Sequence, residues 1–229
     1  MVQERLLPRT NVKYSFGAYN KIKGDQQWIR LSQGCPHQCP WCYEPREYEV
    51  YPIPKIEKHD VGIIDMNLLC KPEALQILKD LPVNNGKIIT YEFICGIDYR
   101  FLTKEIALEL RKHHFKRIRL AWDWFYKDQL LIKDKLKILY SVGYKPEDLI
   151  IFMICNHPSI SYDENLNKLD LCKVWNVKVA DCYYDNQIKI FEKFIPIGWT
   201  TEQAKSFRLA VRKHNRLVNW KMDPAVIGK

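Results

Sequence analysis

Three cysteines within eight residues, Cys35, Cys39 and Cys42, are the first side chains in this chain whose spacing implies chemistry. They stand in Gly34-Cys35-Pro36-His37-Gln38-Cys39-Pro40-Trp41-Cys42-Tyr43, a C-x3-C-x2-C pattern. Thiolates in a loop this short can converge on one inorganic cube and ligate three irons of a [4Fe–4S] cluster, for which cysteine is the usual protein ligand. The fourth iron is then left open, and an open metal position lets a small molecule coordinate directly, as in catalytic rather than structural zinc sites. A structural zinc loop is the alternative. It needs four ligands, no fourth cysteine stands nearby in the sequence, and His37 lies inside the loop, poorly placed to complete a tetrahedron.

The elements that must position this loop show in the alternation of apolar runs and helical patterns. Trp28 to Ser32 reads as a short strand running into the cysteines, and Val61 to Asp65 as another. Pro72 fits a first helical turn, with Ala74, Leu75, Leu78 and Leu81 following at helical spacing. Lys87 to Cys95 is β-branched and aromatic, a strand. Thr103 caps a helix carrying Ile106, Ala107 and Leu110 on one face. A strand over Arg117 to Trp124 and a helix over Asp128 to Ser141, closed by Gly143, come next. Leu149 to Cys155 is almost wholly apolar, as in a parallel strand covered on both faces. Ser161 and Glu164 have capping-box spacing before Leu166, Leu169 and Cys172. Val177 to Tyr183 and Ile188 to Ile195 read as the last strands. Thr200 and Gln203 repeat the capping-box spacing before a long C-terminal helix.

Repeated strand–helix units imply parallel strands with crossovers. The units are too few for a closed eight-fold barrel, so the expected fold is α/β, an open partial (β/α)5-6 TIM-like barrel of mainly parallel strands. One domain is expected over 1–229, with a core at about 24–198 and a basic helix and tail at 199–229. Its ligand site should lie at the carboxyl ends of the strands, where the cysteines, Gly96, Asp123, Asn156 and the Asp181 region fall.

Composition agrees with one sizeable core: 229 residues, 47% hydrophobic, with aromatics enough to argue against disorder. No apolar run approaches the ~18 residues of a membrane span, and Met1 to Thr10 lacks the apolar stretch of a secretory signal. The expected compartment is the cytoplasm, with no membrane partner. There, Cys70, Cys95, Cys155, Cys172 and Cys182, scattered singly, read as core thiols rather than disulfide partners. The formal net charge of +9 attracts polyanions at long range and tilts the partner towards nucleic acid.

With the aromatic Trp41 just before its third cysteine, the C-x3-C-x2-C loop resembles the cluster loop of the radical S-adenosylmethionine (SAM) superfamily. That resemblance implies a [4Fe–4S] cluster on Cys35, Cys39 and Cys42 whose open iron binds SAM. It further implies reductive cleavage to a 5′-deoxyadenosyl radical, hydrogen abstraction from a substrate, and an electron donor of reductase or flavodoxin/ferredoxin type. Superfamily members usually carry a Gly-Gly-Glu-like turn touching SAM. Here Cys95 to Thr103 departs from it and looks more like a Gly-hydrophobic-Asp-x-Arg turn. By that likeness Gly96 allows close approach, Asp98 accepts from the SAM amino group and Arg100 pairs with its carboxylate. Asn156 ends a strand where family members often contact the SAM ribose. His157 and Asp123 are candidates for the substrate pocket, and Glu92 could face either way.

For the substrate, Lys205, Arg208, Arg212 and Arg216 recur along one helix face, and His113, His114, Lys116, Arg117 and Arg119 form a second basic cluster. Such stripes contact phosphates with little sequence specificity. Tyr43, Tyr48 and Tyr51 can stack on bases or pack their own loop. RNA, DNA or a nucleotide is the expected substrate. A peptide- or protein-modifying enzyme or glycyl-radical activase, and a non-catalytic iron–sulfur or zinc nucleic-acid-binding module, are the alternatives.

Overall fold

A computed structural model describes residues 17–37, 39–42, 44–184 and 196–219. The chain opens with an antiparallel hairpin, β1 (Tyr19–Lys23) and β2 (Gln26–Arg30). Strand β2 then feeds β3 (Ser32–Gln33) and the cysteine loop, which returns through β4 (Glu49–Val50) paired antiparallel to β3. From there the pairing is parallel. β5 (Asp60–Ile63) joins β2, and β6 (Thr90–Phe93) joins β5. β7 (Ile97–Asp98), β8 (Ile118–Ala121), β9 (Leu149–Cys155) and β10 (Lys178–Tyr183) pair in sequence order. The two four-stranded sheets, ordered β1-β2-β5-β6 and β10-β9-β8-β7, meet through a parallel bridge between Tyr91 and Phe115.

Helices α1 (Ala74–Asp80), α2 (Lys104–Lys112), α3 (Gln129–Ser141), α4 (Tyr162–Val174) and α5 (Thr201–Asn219) alternate with the strands. The expected α/β chain of mainly parallel strands is therefore present. Their starts follow the capping chemistry. Thr103 Oγ1 accepts from Ile106 N–H and Ser161 Oγ from Glu164 N–H. Thr200 and Gln203 exchange both bonds of a capping box. Glu164 makes only half of its box, because its carboxylate instead accepts the Tyr126 N–H, 2.8 Å away.

Strand β9 shows how the sheet is used. Leu149, Ile151, Met153 and Cys155 are fully buried, while Ile150, Phe152 and Ile154 between them are half-buried. Phe152 and Ile154 line a cavity, so the uninterrupted apolar run serves a sheet with protein on one face and the cavity on the other. The β1 hairpin and the β3–β4 pair escape the sequence pattern: β1 (YNKIK) is polar and largely exposed, and the other two strands have two residues each. The expected strand over 188–195 lies outside the described residues. Among the described residues, no helix is long and apolar enough to cross a membrane.

Helix α5 closes the β10 edge, which would otherwise present unpaired backbone groups. Ala204, Phe207, Val211 and Val218 are its buried stripe, and full burial of Phe207 contributes about 1.5–3 kcal/mol. The Asn215 amide acts as a substitute strand: its Oδ1 accepts the Val179 N–H at 2.8 Å and its Nδ2 donates to the Val179 carbonyl at 2.7 Å. Replacing Asn215 with Leu strands both groups, so thermal denaturation of that variant should show a loss of about 1–3 kcal/mol. An unchanged melting temperature would mean that water takes over both bonds without penalty.

Candidate functional site

The cysteine loop is held by polar ties at its base. Asp65, which follows β5, is 1% exposed and accepts from Leu31 N–H, Ser32 N–H and Ser32 Oγ. Burial pushes its pKa up to about 6 against the pull of those donors, so near neutrality it is mostly ionised and ties the end of β2 to the end of β5. Gly34 follows with φ +91°, and a Cβ there would come 2.1 Å from the Glu47 carbonyl oxygen. Only glycine fits. The Gly34 N–H donates to the buried Glu44 carboxylate at 2.6 Å, and its carbonyl accepts from the buried Lys71 ammonium.

Beyond this base, Cys35, Cys39 and Cys42 all line one cavity of about 330 Å³. The other walls come from the ends of successive parallel strands: Met66 and Asn67 after β5, Cys95 and Gly96 after β6, Asp98 in β7 and Ala121 and Asp123 from β8 and just beyond it. Phe152, Ile154 and Cys182 come from β9 and β10. The strand-end site expected from sequence is thus a real enclosure. Gly96, Asp98, Arg100, Asp123 and Trp41 reach it; Asn156 and His157 are not among its lining residues.

The geometry around each candidate is specific. Gly96 has φ +85°, and a Cβ would approach the Arg119 carbonyl oxygen to 3.1 Å, so the chain passes close to β8 at the cavity wall. Asp98 and Arg100 spend much of their charge on each other. Asp98 accepts Arg100 N–H at 3.0 Å and two guanidinium bonds at 2.8 Å, a bidentate pair. Its Oδ2 also lies 3.1 Å from His37 Nε2 and accepts from Asn67 Nδ2 at 3.2 Å.

Trp41 is wedged between Trp124, 4.6 Å between ring centroids, and His157, edge-on at 5.0 Å. His157 is thereby a backing ring, with Tyr184 on its other side at 4.7 Å, and burial lowers its pKa. Asn156, with φ +64° and no exposure, is engaged elsewhere. Its Oδ1 accepts from Ile197, Gly198 and Trp199 N–H and its Nδ2 donates to the Tyr184 carbonyl, tying the 196–199 turn to the end of β9. A helper of fold rather than of a ligand is what these bonds make of it.

Three residues that sequence patterns passed over belong to the site. Asn67 is 7% exposed and donates to Cys35 Sγ at 3.4 Å, while its Oδ1 is buried without a partner among the described residues. Cys70, expected to be a core thiol, is half-buried against the Cys35 sulfur; that hydrogen bond is the main force holding the Cys35 thiol low, and it raises Cys70 in turn. A fourth cysteine is therefore near the loop in space, although Cys70 is not part of the cavity wall. Lys168, wholly buried on α4, donates to the carbonyls of Trp122 and Trp124 on either side of Asp123, with Glu164 4.0 Å away. An ammonium buried this deeply is tolerated only with such acceptors. The signal for it was a lysine and an asparagine, Asn165, on the core-facing stripe of α4. Of the other single cysteines, Cys155 and Cys172 are core thiols as expected, whereas Cys95 and Cys182 face the cavity.

The basic clusters lie elsewhere. Lys205, Arg208, Arg212 and Arg216 form an exposed stripe on α5, and Arg208 sits 3.6 Å from Asp181 and over the Tyr183 ring at 4.3 Å. None lines the cavity. The second cluster is largely neutralised: Lys116 pairs with Asp60, and Arg117 and Arg119 with buried Glu92, while His113 is buried. Glu92 therefore serves this ion pair. Tyr51 is buried and donates to Glu49, Tyr48 is exposed beneath the Lys71 ammonium, and Tyr43 lies outside the described residues.

Among the described residues no group of three or more His, Cys, Asp or Glu side chains is arranged around a single metal ion. A cubane makes a different demand, since each thiolate takes its own iron and the sulfurs must surround a volume. The three motif thiols line one cavity. Burial, with Cys42 adding, pushes the Cys39 thiol up to about 11.

Asp123 gives the site a testable pH signature. Burial pushes its carboxyl up to about 6, opposed by Lys168 and by the Ile154 N–H that donates to it at 3.0 Å. Between its unfolded value of 3.8 and about 6 the folded chain holds a proton that the unfolded chain has released, so this group's stabilisation is present below that window and lost as pH rises through it. Urea denaturation at several pH values across the window should show a weaker decline for Asp123→Asn than for the wild type, with Asp65 supplying the remaining slope; identical profiles would contradict the assignment. No protein-family model matches the chain and no curated protein matches its sequence, so the site must be understood from its own residues.

Proposed function

We propose that the protein is a radical SAM enzyme: the cavity at the strand ends is the site where a [4Fe–4S] cluster is held by Cys35, Cys39 and Cys42. The observation that carries this reading is the placement of all three motif cysteines on the wall of a cavity to which each neighbouring strand end contributes a side chain. Bound there, the cluster and SAM supply reductive cleavage of the sulfonium to methionine and a 5′-deoxyadenosyl radical, which takes a hydrogen atom from substrate. We further read the joined sheets as an open partial (β/α)5-6 barrel, the architecture that leaves one strand-end face for such a site.

The chain's own residues have distinct tasks in this reading. The three motif thiols would hold three irons of the cluster, with Cys95 and Cys182 on other parts of the same cavity wall. Asn67 Oδ1, buried and unpartnered, is the acceptor for an ammonium group, and the Arg100 guanidinium, with its side chain 37% exposed, offers a free edge to a carboxylate. Asp98 orients both. Asp123, with a pKa near 6, holds or releases a proton close to neutrality. Ala121, Phe152 and Ile154 keep water out of the cavity, which protects a reactive species from side reactions. The net charge of +9 favours a nucleic acid or nucleotide as substrate, and the electron comes from a reductase or a flavodoxin/ferredoxin-type partner.

Anaerobic reconstitution with iron and sulfide, followed by dithionite and SAM, should yield 5′-deoxyadenosine measurable by mass spectrometry, and Cys42→Ala should yield none above the protein-free control. A wild-type protein that carries a full cluster yet neither binds SAM nor makes 5′-deoxyadenosine would sink the enzyme reading and favour a metal-bearing binding module.

A further inference from the structure

The short 3-10 turn Leu68–Cys70 and the residues on either side of it pack three polar side chains against the start of the cysteine loop at Gly34 and Cys35. Asn67 Nδ2 donates to Cys35 Sγ at 3.4 Å. The Cys70 thiol hydrogen-bonds the same sulfur. Lys71, 4% exposed, places its ammonium on the Gly34 carbonyl, next to Cys35, and 3.6 Å from Cys70 Sγ. Asn67 is itself fixed, because the same amide nitrogen donates to Asp98 Oδ2 at 3.2 Å, and Asp98 is locked by the Arg100 guanidinium. A clamped N–H donor therefore meets the Cys35 sulfur, and a buried cation sits on the carbonyl of the preceding residue, Gly34.

Resting on the cluster reading above, we propose that Asn67 is a positioning residue that sets the reduction potential of the cluster through its N–H···S bond to Cys35. Reduction adds one electron to a cluster whose negative charge extends onto its thiolate ligands. A donor aimed at one of those sulfurs stabilises the reduced state more than the oxidised one, and hydrogen bonds to sulfur are among the protein's main controls over such potentials. Cys39 receives a comparable bond from Trp124, but Trp124 is also a packing ring for Trp41, so its removal would disturb the loop as well as the electronics. Asn67 touches the sulfur and the Asp98 carboxylate, and its exchange leaves the aromatic wedge in place. In this account the strand end that ties down the cysteine loop through Asp65 also tunes the loop's electron affinity two residues later.

The test compares reconstituted wild type, Asn67→Leu and Asn67→Asp by electron paramagnetic resonance during a redox titration, after iron and sulfide content has been measured for each. At the potential where the wild-type cluster is half reduced, each variant should show a reduced-to-oxidised ratio lower by about tenfold, which is about 59 mV for one electron. A variant with a full cluster and a ratio within about twofold of wild type overturns the proposal, since a twofold change is under a third of that shift. If Asn67→Leu holds no cluster, Asn67→Asp is read by the same ratio: it loses the donor and adds a negative charge beside the sulfur, both of which lower the ratio. The drop should then be at least about tenfold, and a ratio within about twofold of wild type overturns the proposal. Failure of the underlying reading is visible separately: the wild type itself would then hold no cluster in the first preparation.

Discussion

The buried Asp98 carboxylate is the interaction on which the site depends. It gathers the bidentate Arg100 guanidinium and the Asn67 amide, and His37 Nε2 approaches it to 3.1 Å, so one anion joins its own turn, the end of β5 and the cysteine loop. Its two oxygens share these donors between them and so fix their directions. Removing Asp98 would leave a guanidinium and an amide without their shared acceptor, and the loop would lose its tie to β7. The expectation that Asp98 and Arg100 each face a ligand separately gives way to a pair that acts as one unit and offers only its outer edge.

Around that anion the site is stiffened from opposite sides by different means. On the β5 side the ties are polar: Asp65 on Leu31 and Ser32, Glu44 on Gly34, Lys71 on the Gly34 carbonyl. On the β8 and β9 side they are aromatic, with Trp41 wedged between Trp124 and His157. Lys168 links the second set to the fold by binding the carbonyls that flank Asp123, which places a buried cation behind a half-buried acid on the cavity wall. Polar ties fix direction and rings pack the opposite side, so the two sides together hold the thiols at set positions on the cavity wall.

Much of this was legible in the sequence. Apolar runs and period-3.6 patterns located most of the parallel strands and the helices from Val61 to Asn219, outside 188–195, because burial against a sheet face leaves a strong apolar signature. The two-residue strand β7 (Ile97–Asp98), inside the stretch read as a turn, is too short to leave one. The Thr103, Ser161 and Thr200 caps were readable because side-chain oxygens at helix starts have few other uses. The hairpin strand β1 was not legible, since an exposed edge strand needs no apolar alternation. Asn67, Cys70 and Lys168 were missed for a related reason: their roles come from contacts 32 to 46 residues away in the chain, or from a thiol pair that no local spacing reveals. Asn156 carries a structural task that its position did not announce. A polar residue ending an apolar strand promises a ligand contact, but here three backbone N–H groups from the 197–199 turn claim its oxygen.

The measurement that tests the account most directly is a Mössbauer spectrum of protein reconstituted with iron-57, recorded with and without SAM. Three cysteines around a cubane predict a [4Fe–4S] signal in which one iron, the one without a thiolate, changes its parameters when SAM is added while the others do not. A mononuclear iron signal, or a four-iron signal that SAM leaves untouched, would contradict it.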